Sequence, residues 1–308
     1  MSKAYAEPEL LAARHPHHEA YVLLAPALLF LGLFFLYPVL WLAVVSTAKY
    51  NPVTSTARST ALGHYSVVLS SPALWRSILN TAYFSVVYVP LTLLSAGALA
   101  MLLNRRIVGR PLLKAVFCAP AVVPVVGAAL IWRAAYMPVT GSVDRILFIL
   151  GHDHSGAWAG WLGEPYLAMP CIALMCVWRD AGLFALILLA ALGRIPRETY
   201  EMAHIDGASR RQAFTSVTLP MCLGTLGLCL VMLVINVQNV FQEIYVMTED
   251  GGPANWTVNI SFLVYRRAYG YVDPRWGEAA ALSVVLFAVT VVLILIQNRI
   301  LNRRLDWS

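Results

Sequence analysis

The chain has 308 residues, of which 59% are hydrophobic and only 12% charged, with a mean hydropathy of +0.69. Soluble domains run at about 45–50% apolar and about 25% charged residues. The composition therefore excludes an ordinary soluble enzyme, a disordered chain and a nucleic-acid-binding domain. The net charge of +6 bears first on topology, because basic residues of membrane proteins collect on the cytoplasmic side.

Residues 1–20 read as a polar cytoplasmic tail. Glu7, Glu9 and Glu19, with no small-residue cleavage pattern, argue against a secretory signal. His15, His17 and His18 flank Pro16 without cysteine or carboxylate geometry and read as a solvated tail, not a metal site. Six apolar runs follow, at 21–45, 77–103, 112–132, 166–192, 219–240 and 277–297. Each approaches the length of about 20 residues that crosses a hydrocarbon core as helix. Pro38, Pro90, Pro120, Pro124 and Pro170 lie within or beside these runs. Membrane helices tolerate proline when packed neighbours satisfy the freed backbone. The five cysteines sit in apolar stretches without metal or redox spacing and read as small buried hydrophobes. The expected architecture is an all-α membrane protein. Its transmembrane domain covers 21–298, between the N-terminal tail and a cytoplasmic C-terminal tail at 299–308.

The tails and the even-numbered connections carry 13 Lys and Arg over roughly 70 residues, against 8 over roughly 100 in the opposite set. Both termini are therefore expected in the cytoplasm. The connections at 141–165 and 249–276 are long and rich in Gly, Pro and aromatics, including Trp158, Trp161 and Gly251-Gly252-Pro253. Such lengths read as functional or flexible loops.

Polar groups inside apolar spans are costly and mark functional sites by default. Trp178-Arg179-Asp180 falls near the middle of the fourth run. Adjacent residues do not face each other on a helix, so Arg179 and Asp180 are expected to have different partners. Asn236, Asn239 and Glu243 recur at i, i+3, i+7 at the outer end of the fifth run, with Gln238 and Gln242 as an i, i+4 pair. Trp178, Arg179, Asn236, Asn239, Gln242, Glu243 and Tyr245 form the candidate pathway. Amides there would exchange hydrogen bonds with a hydroxyl-rich ligand and Trp178 and Tyr245 would stack on it. The competing reading is interhelical glue.

The connection at 195–220, IPRETYEMAHIDGASRRQAFTSVTLP, carries the densest local signals. Pro196 suits a first helical position, and Glu198 and Glu201 complement the helix dipole. Gly207 supplies a left-handed helix end. Ser209-Arg210-Arg211-Gln212 reads as a capping box that restarts a helix, and Pro220 opens the next span. The segment is expected to be a rigid helix–turn–helix knob.

Glu201-Met202-Ala203, Asp206-Gly207-Ala208, Phe214 and Leu219-Pro220 resemble the EAA loop of ABC-importer permeases, with Met202 replacing the usual second small residue. Leu24-Ala25-Pro26, Tyr37-Pro38, Trp178, and Phe241 through Tyr245-Val246-Met247-Thr248 to Gly251-Gly252-Pro253 extend the resemblance to the carbohydrate branch, similar to maltose and glycerol-3-phosphate permeases. The resemblance implies a six-helix type I importer permease in a bacterial inner membrane. It implies an ATPase dimer, a second homologous permease and an extracytoplasmic solute-binding protein as partners. Glu201, Ala203, Asp206, Gly207, Ala208 and Ser209 would contact the ATPase. The chain lacks any GxxxxGK[ST] phosphate loop, so ATP and magnesium are expected on the partner and no cofactor here. The implied cargo is a sugar, oligosaccharide or polyol, with glycerol-3-phosphate or a glycerophosphodiester as the alternative. An ion-driven secondary transporter is a remoter reading, since no inverted repeat is evident.

Overall fold

Backbone hydrogen bonds in a bilayer must close within the segment, which leaves helices as the means of folding these apolar runs. The computed structural model describes residues 17–51, 56–105, 107–151, 160–270 and 275–305; His15 and Trp158 lie outside them. Among the described residues, five helices are long and apolar enough to span a membrane, and a sixth span is made by a bent pair.

Helix α1 (His17–Leu31) continues through a π-helical turn, Gly32–Leu36, into α2 (Tyr37–Ser46). A second π-helical turn, Phe214–Thr218, joins α10 (Arg210–Ala213) to α11 (Leu219–Asn239). Each turn ends two residues before a proline, Pro38 or Pro220. A proline ring inside a helix collides with the carbonyl four residues back and offers it no N–H, and a widened turn relieves that collision. Pro220 thus does not open the fifth span as expected. The span runs unbroken from Arg210 to Asn239.

Between α2 and the bundle lie an antiparallel hairpin, β1 (Ala48–Asn51) with β2 (Thr56–Ser59), paired from Ala48 with Ser59, and α3 (Gly63–Ser70). The second span is α4 (Pro72–Asn104) and the fourth is α8 (Pro165–Leu192), each with proline in its first turn, where no N–H is needed. These two form the centre of the molecule. Two thirds of the apolar window of α8 is buried, against 28% for α4 and none for the first span. Small residues make the approach close: Ala96 and Ala100 on α4, and Ala173 and Ala185 on α8, are fully covered.

The expected third span, 112–132, is not one straight helix. It consists of α5 (Arg110–Val122) and α6 (Val125–Ala135), bent by 97°. Val123 adopts extended geometry (φ −68, ψ 130) directly before Pro124. Proline disfavours helical geometry in the residue before it, so the break is local in origin. Backbone of α5 then crosses α8 at Gly182, where a Cβ would lie 1.8 Å from the Phe117 carbonyl oxygen.

The described residues of the two long connections are largely folded. The first contains α7 (Ser142–Ile149), held where Asp144 accepts from Trp161 Nε1 at 2.6 Å and from the Val139 N–H at 2.7 Å. The second, preceded by α12 (Gln242–Thr248), contains a 3₁₀ turn at Pro253–Asn255 and α13 (Ile260–Tyr269), and leads into α14 (Trp276–Leu305). Four of the five cysteines, Cys171, Cys176, Cys222 and Cys229, are buried as expected; Cys118 is only half-buried, and all five are free.

Candidate functional site

The 195–220 connection forms a capped knob at one end of the bundle. Pro196 is the N-cap (φ −60, ψ 145), not the first helical residue, and α9 (Arg197–Ile205) carries Glu198 in its first turn. Gly207 takes φ +78 with open space around its would-be Cβ. Ala208 N–H donates to Ala203 O at 2.9 Å and Gly207 N–H to His204 O at 3.0 Å. These paired bonds are a Schellman ending, which only a left-handed residue at Gly207 permits. Ser209 then starts the next helix: its N–H donates to Gln212 Oε1 at 2.8 Å, and its Oγ accepts from the Gln212 N–H at 3.4 Å.

The helix so restarted is not a separate second arm of the knob, because α10 merges through the π turn into the fifth span. Tyr200 Oη meets Thr218 Oγ1 at 2.9 Å, fastening α9 to that turn. Nothing on α9 is buried. Glu201 and Asp206 are exposed, Met202 and Ile205 are exposed apolar side chains, and Ala203 and Ala208 are partly covered. An apolar pair flanked by carboxylates is thus exposed on a helix fixed to the fifth span.

The second cluster lies inside the bundle. Arg179 Nη1 donates to Glu243 Oε1 at 2.7 Å, and Arg179 Nε donates to Asp180 Oδ1 at 2.8 Å. The pairing with Asp180 corrects the expectation of separate partners: the long Arg179 side chain folds back around its helix, and Nη2 also reaches Asp180 Oδ2, at 3.2 Å. Tyr88 on α4 donates to Asp180 Oδ2 at 2.5 Å, while Asn236 on α11 is half-buried, close in sequence to the break of that helix. Three elements, α4, α8 and α12, are thereby joined through one polar knot. Tyr88 was not picked out from the sequence. A tyrosine inside an apolar helix needs a partner for its hydroxyl, but nothing local names Asp180.

Glu243 reaches the knot although the i, i+3, i+7 row fails. The helix ends at Asn239; Val240 (ψ 98) and Phe241 (φ −132) are non-helical, and Glu243 belongs to the separate α12. The break is filled from the following loop. The Asn259 side chain donates to the freed Val240 carbonyl, and its Oδ1 accepts from the Phe262 N–H as the N-cap of α13. Ser261 donates to the Gln238 carbonyl. Asn80 on α4 holds the same loop by donating to the carbonyls of Asn255 and Val258 at 3.0 and 2.9 Å. Gln238 is buried and Gln242 exposed, on opposite sides of the break, so they are not the expected i, i+4 pair. Asn239 and Gln242 are exposed and stand apart from the knot. Trp178 is partly exposed and packs edge-on against Trp132 at 5.8 Å.

Tyr245 faces a different space. It lines a cavity of about 1250 Å³, open on one side, at the bundle end opposite α9. Its walls come from the starts of α4 and α14, the end of α6, α12 and α13. The Gly251-Gly252 turn shapes its rim: both glycines have positive φ, and a Cβ on Gly251 would meet Val258 at 2.4 Å. No group of three or more potential metal ligands occurs among the described residues.

Residues 21–307 fit the family described as the binding-protein-dependent transport system inner membrane component. The chain belongs to this family. As such it is a multi-pass inner-membrane transport component. The permease is 36% identical over 184 residues to the diacetylchitobiose uptake system permease protein NgcF of Streptomyces coelicolor, covering 59% of this chain and 51% of that protein. It is 36% identical over 172 residues to the trehalose/maltose transport system permease protein MalF of Thermococcus litoralis, covering 56% of each. The permease thus spans about half the length of these curated relatives. Its fold is shared with a crystal structure of a bacterial ABC transporter involved in the import of the acidic polysaccharide alginate. That match has a TM-score of 0.78 at 24% identity and covers 93% of this chain and 96% of the other.

Proposed function

We propose that the permease is the membrane-spanning subunit of an ATP-driven importer for a sugar or oligosaccharide. A second permease completes the pathway, an external binding protein delivers the cargo and an ATPase dimer on the cytoplasmic side drives the cycle. The saccharide reading is supported by the relatives NgcF and MalF, named for diacetylchitobiose and for trehalose and maltose uptake. The binding-protein partner is supported by a similar transporter, solved with an alginate pentasaccharide-bound periplasmic protein.

The observation that carries the coupling role is the knob. The exposed face of α9 offers Met202 and Ile205 to an apolar cleft, and Glu201 and Asp206 to basic groups around it. The Schellman turn at Gly207 and the Tyr200–Thr218 bond fix α9 to the fifth span, while the short Leu192–Pro196 link fixes it to the fourth. Displacement of α9 by a closing partner therefore tilts both spans together, as a rigid-body switch.

The test is ligand-stimulated ATP hydrolysis by the complete importer in liposomes. Gly207→Val forces a β-branched residue into a left-handed conformation at about 1–2 kcal/mol and should abolish stimulation. Gly207→Asn, which visits that conformation more readily, should retain much of it. Glu201→Lys should uncouple without loss of the Schellman turn. Wild-type stimulation in both Gly207→Val and Glu201→Lys would remove the assignment.

A further inference from the structure

The cavity opposite α9 is strongly cationic. Five arginines, Arg76, Arg133, Arg266, Arg267 and Arg275, line it against two carboxylates, Glu249 and Asp250. Arg267 and Arg275 share Glu278, whose side chain is 11% exposed, at 3.0 and 3.3 Å. These two are anchored into the wall. The other three are held differently.

Arg133 pairs with Glu249, and Arg266 pairs with Asp250 at 3.5 Å, but the carboxylates are 72% and 83% exposed. Pairs of that exposure contribute little, being screened by solvent, so an incoming anion can take the place of either carboxylate. Both acids sit beside a backbone turn where Glu249 itself has positive φ (49°), a conformation that favours glycine. Arg76 lies with its guanidinium 5.4 Å from the centre of the Trp256 ring, and no carboxylate pairs with it among the described residues. Stacking leaves the in-plane N–H fork of an arginine available for bidentate bonding to an oxyanion.

The cavity also presents aromatic surface. Tyr245, Tyr265 and Tyr269 line it, with Tyr265 packed against both of the others at 5.7 and 5.3 Å. Tyrosines offer a flat apolar face and a hydroxyl, which suits a sugar ring with its alternating C–H and O–H edges. A volume of about 1250 Å³ exceeds the pocket of about 300–1,000 Å³ usual for a drug-sized ligand and admits several linked rings.

We propose that this cavity receives the acidic group of a charged saccharide, a uronate carboxylate or a sugar sulfonate or phosphate. Arg76 is the first anion contact, and Arg133 and Arg266 are released to the ligand from Glu249 and Asp250. The sugar rings lie on the tyrosines. This rests on the reading of the permease as a saccharide importer and adds the charge class of its cargo.

The test uses the complete importer in phosphatidylcholine nanodiscs with two probes of equal length, trigalacturonate and the neutral maltotriose, measured by calorimetry. Trigalacturonate should bind about tenfold more tightly or better, as charge-assisted bonds are roughly twice as strong as neutral ones, and its advantage should shrink as salt rises. Arg76→Gln should remove most of the advantage, Arg76→Lys should keep part of it, and maltotriose binding should fall far less than trigalacturonate binding in both. Equal binding of the two probes, or an advantage untouched by Arg76→Gln, overturns the inference. Nanodiscs of phosphatidylglycerol should leave trigalacturonate affinity intact. Competition by that lipid would assign the cavity to headgroups and also overturn it. Failure of the importer reading would show separately, in the Gly207→Val coupling assay, which does not involve this cavity.

Discussion

Arg179→Met is the sharpest probe of the polar knot. Methionine keeps most of the side-chain length while removing the cation that meets Glu243 at 2.7 Å and Asp180 at 2.8 Å. Both carboxylates are nearly enclosed, at 6% and 12% side-chain exposure, and Tyr88 alone would remain to compensate Asp180. Removing one partner of a buried pair costs about 3–5 kcal/mol, because the charge left behind is uncompensated. Two stranded carboxylates place this variant at the upper end of that range. At about 2–4 °C per kcal/mol for chains of about 150–250 residues, the melting temperature of the purified complex should fall by on the order of 10 °C. Replacing the whole set, Arg179→Met with Asp180→Asn and Glu243→Gln, should recover most of the loss, since a neutral replacement leaves no buried charge. The assay is thermal melting of wild type, single and triple variants in one detergent. A single variant that melts with wild type, or a triple variant no more stable than the single, would refute the reasoning.

Gly182→Ala places a methyl group 1.8 Å from the Phe117 carbonyl oxygen. Since backbone cannot yield as a side chain does, the cost should exceed the about 1–3 kcal/mol of ordinary overpacking, seen as low recovery of folded protein beside Gly97→Ala, which meets nothing within 4 Å. Asn259→Ala removes both the α13 cap and the donor to Val240. A loss of about 1–3 kcal/mol is expected from the cap and the orphaned carbonyl together, with faster amide exchange at Phe262 as the local readout. Asn236→Ala, at a half-buried position of α11, should lower the melting temperature, whereas Asn239→Ala and Gln242→Ala, both exposed, should spare stability and change uptake preference among related saccharides. Lost stability at all three positions would make them scaffold. For topology, cysteines at Arg110 and Arg210 should label only from inside and at Pro253 only from outside; external labelling at position 210 would defeat the coupling mechanism.

The knob at 195–220 was legible almost residue by residue. A left-handed glycine, a capping box and the relation of proline to the helix before it are settled within four or five residues of chain. The error there was equally local: Pro220 was read as a helix start, whereas a π turn absorbs its collision and lets the helix run on from Arg210. A second local effect of proline, its restriction of the residue before it, accounts for the sharp bend at Val123-Pro124, where apolarity alone predicts a straight span. Hydropathy marks where a segment can be buried and carries no information on its direction.

The polar residues behaved differently. The sequence marked Arg179 and Glu243 as costly inside the membrane, but assumed one continuous helix to relate Asn236, Asn239 and Glu243. The helix breaks after Asn239 because Asn259 and Ser261, some 20 residues later, supply donors to the carbonyls that the break exposes. Whether a backbone interruption can be tolerated at membrane depth depends on such partners, and those are set by the packing of α13 against the span.

By itself, then, the sequence determined the apolar spans, the capped turn at Gly207 and the exclusion of soluble classes, because each follows from composition or from contacts within one or two helical turns. The tertiary structure decided which charges meet. Tyr88 finds Asp180 across 92 residues and Arg179 finds Glu243 across 64. Those pairings exist only once α4, α8 and α12 are packed, since buried charges must take the partners that packing brings within about 3 Å.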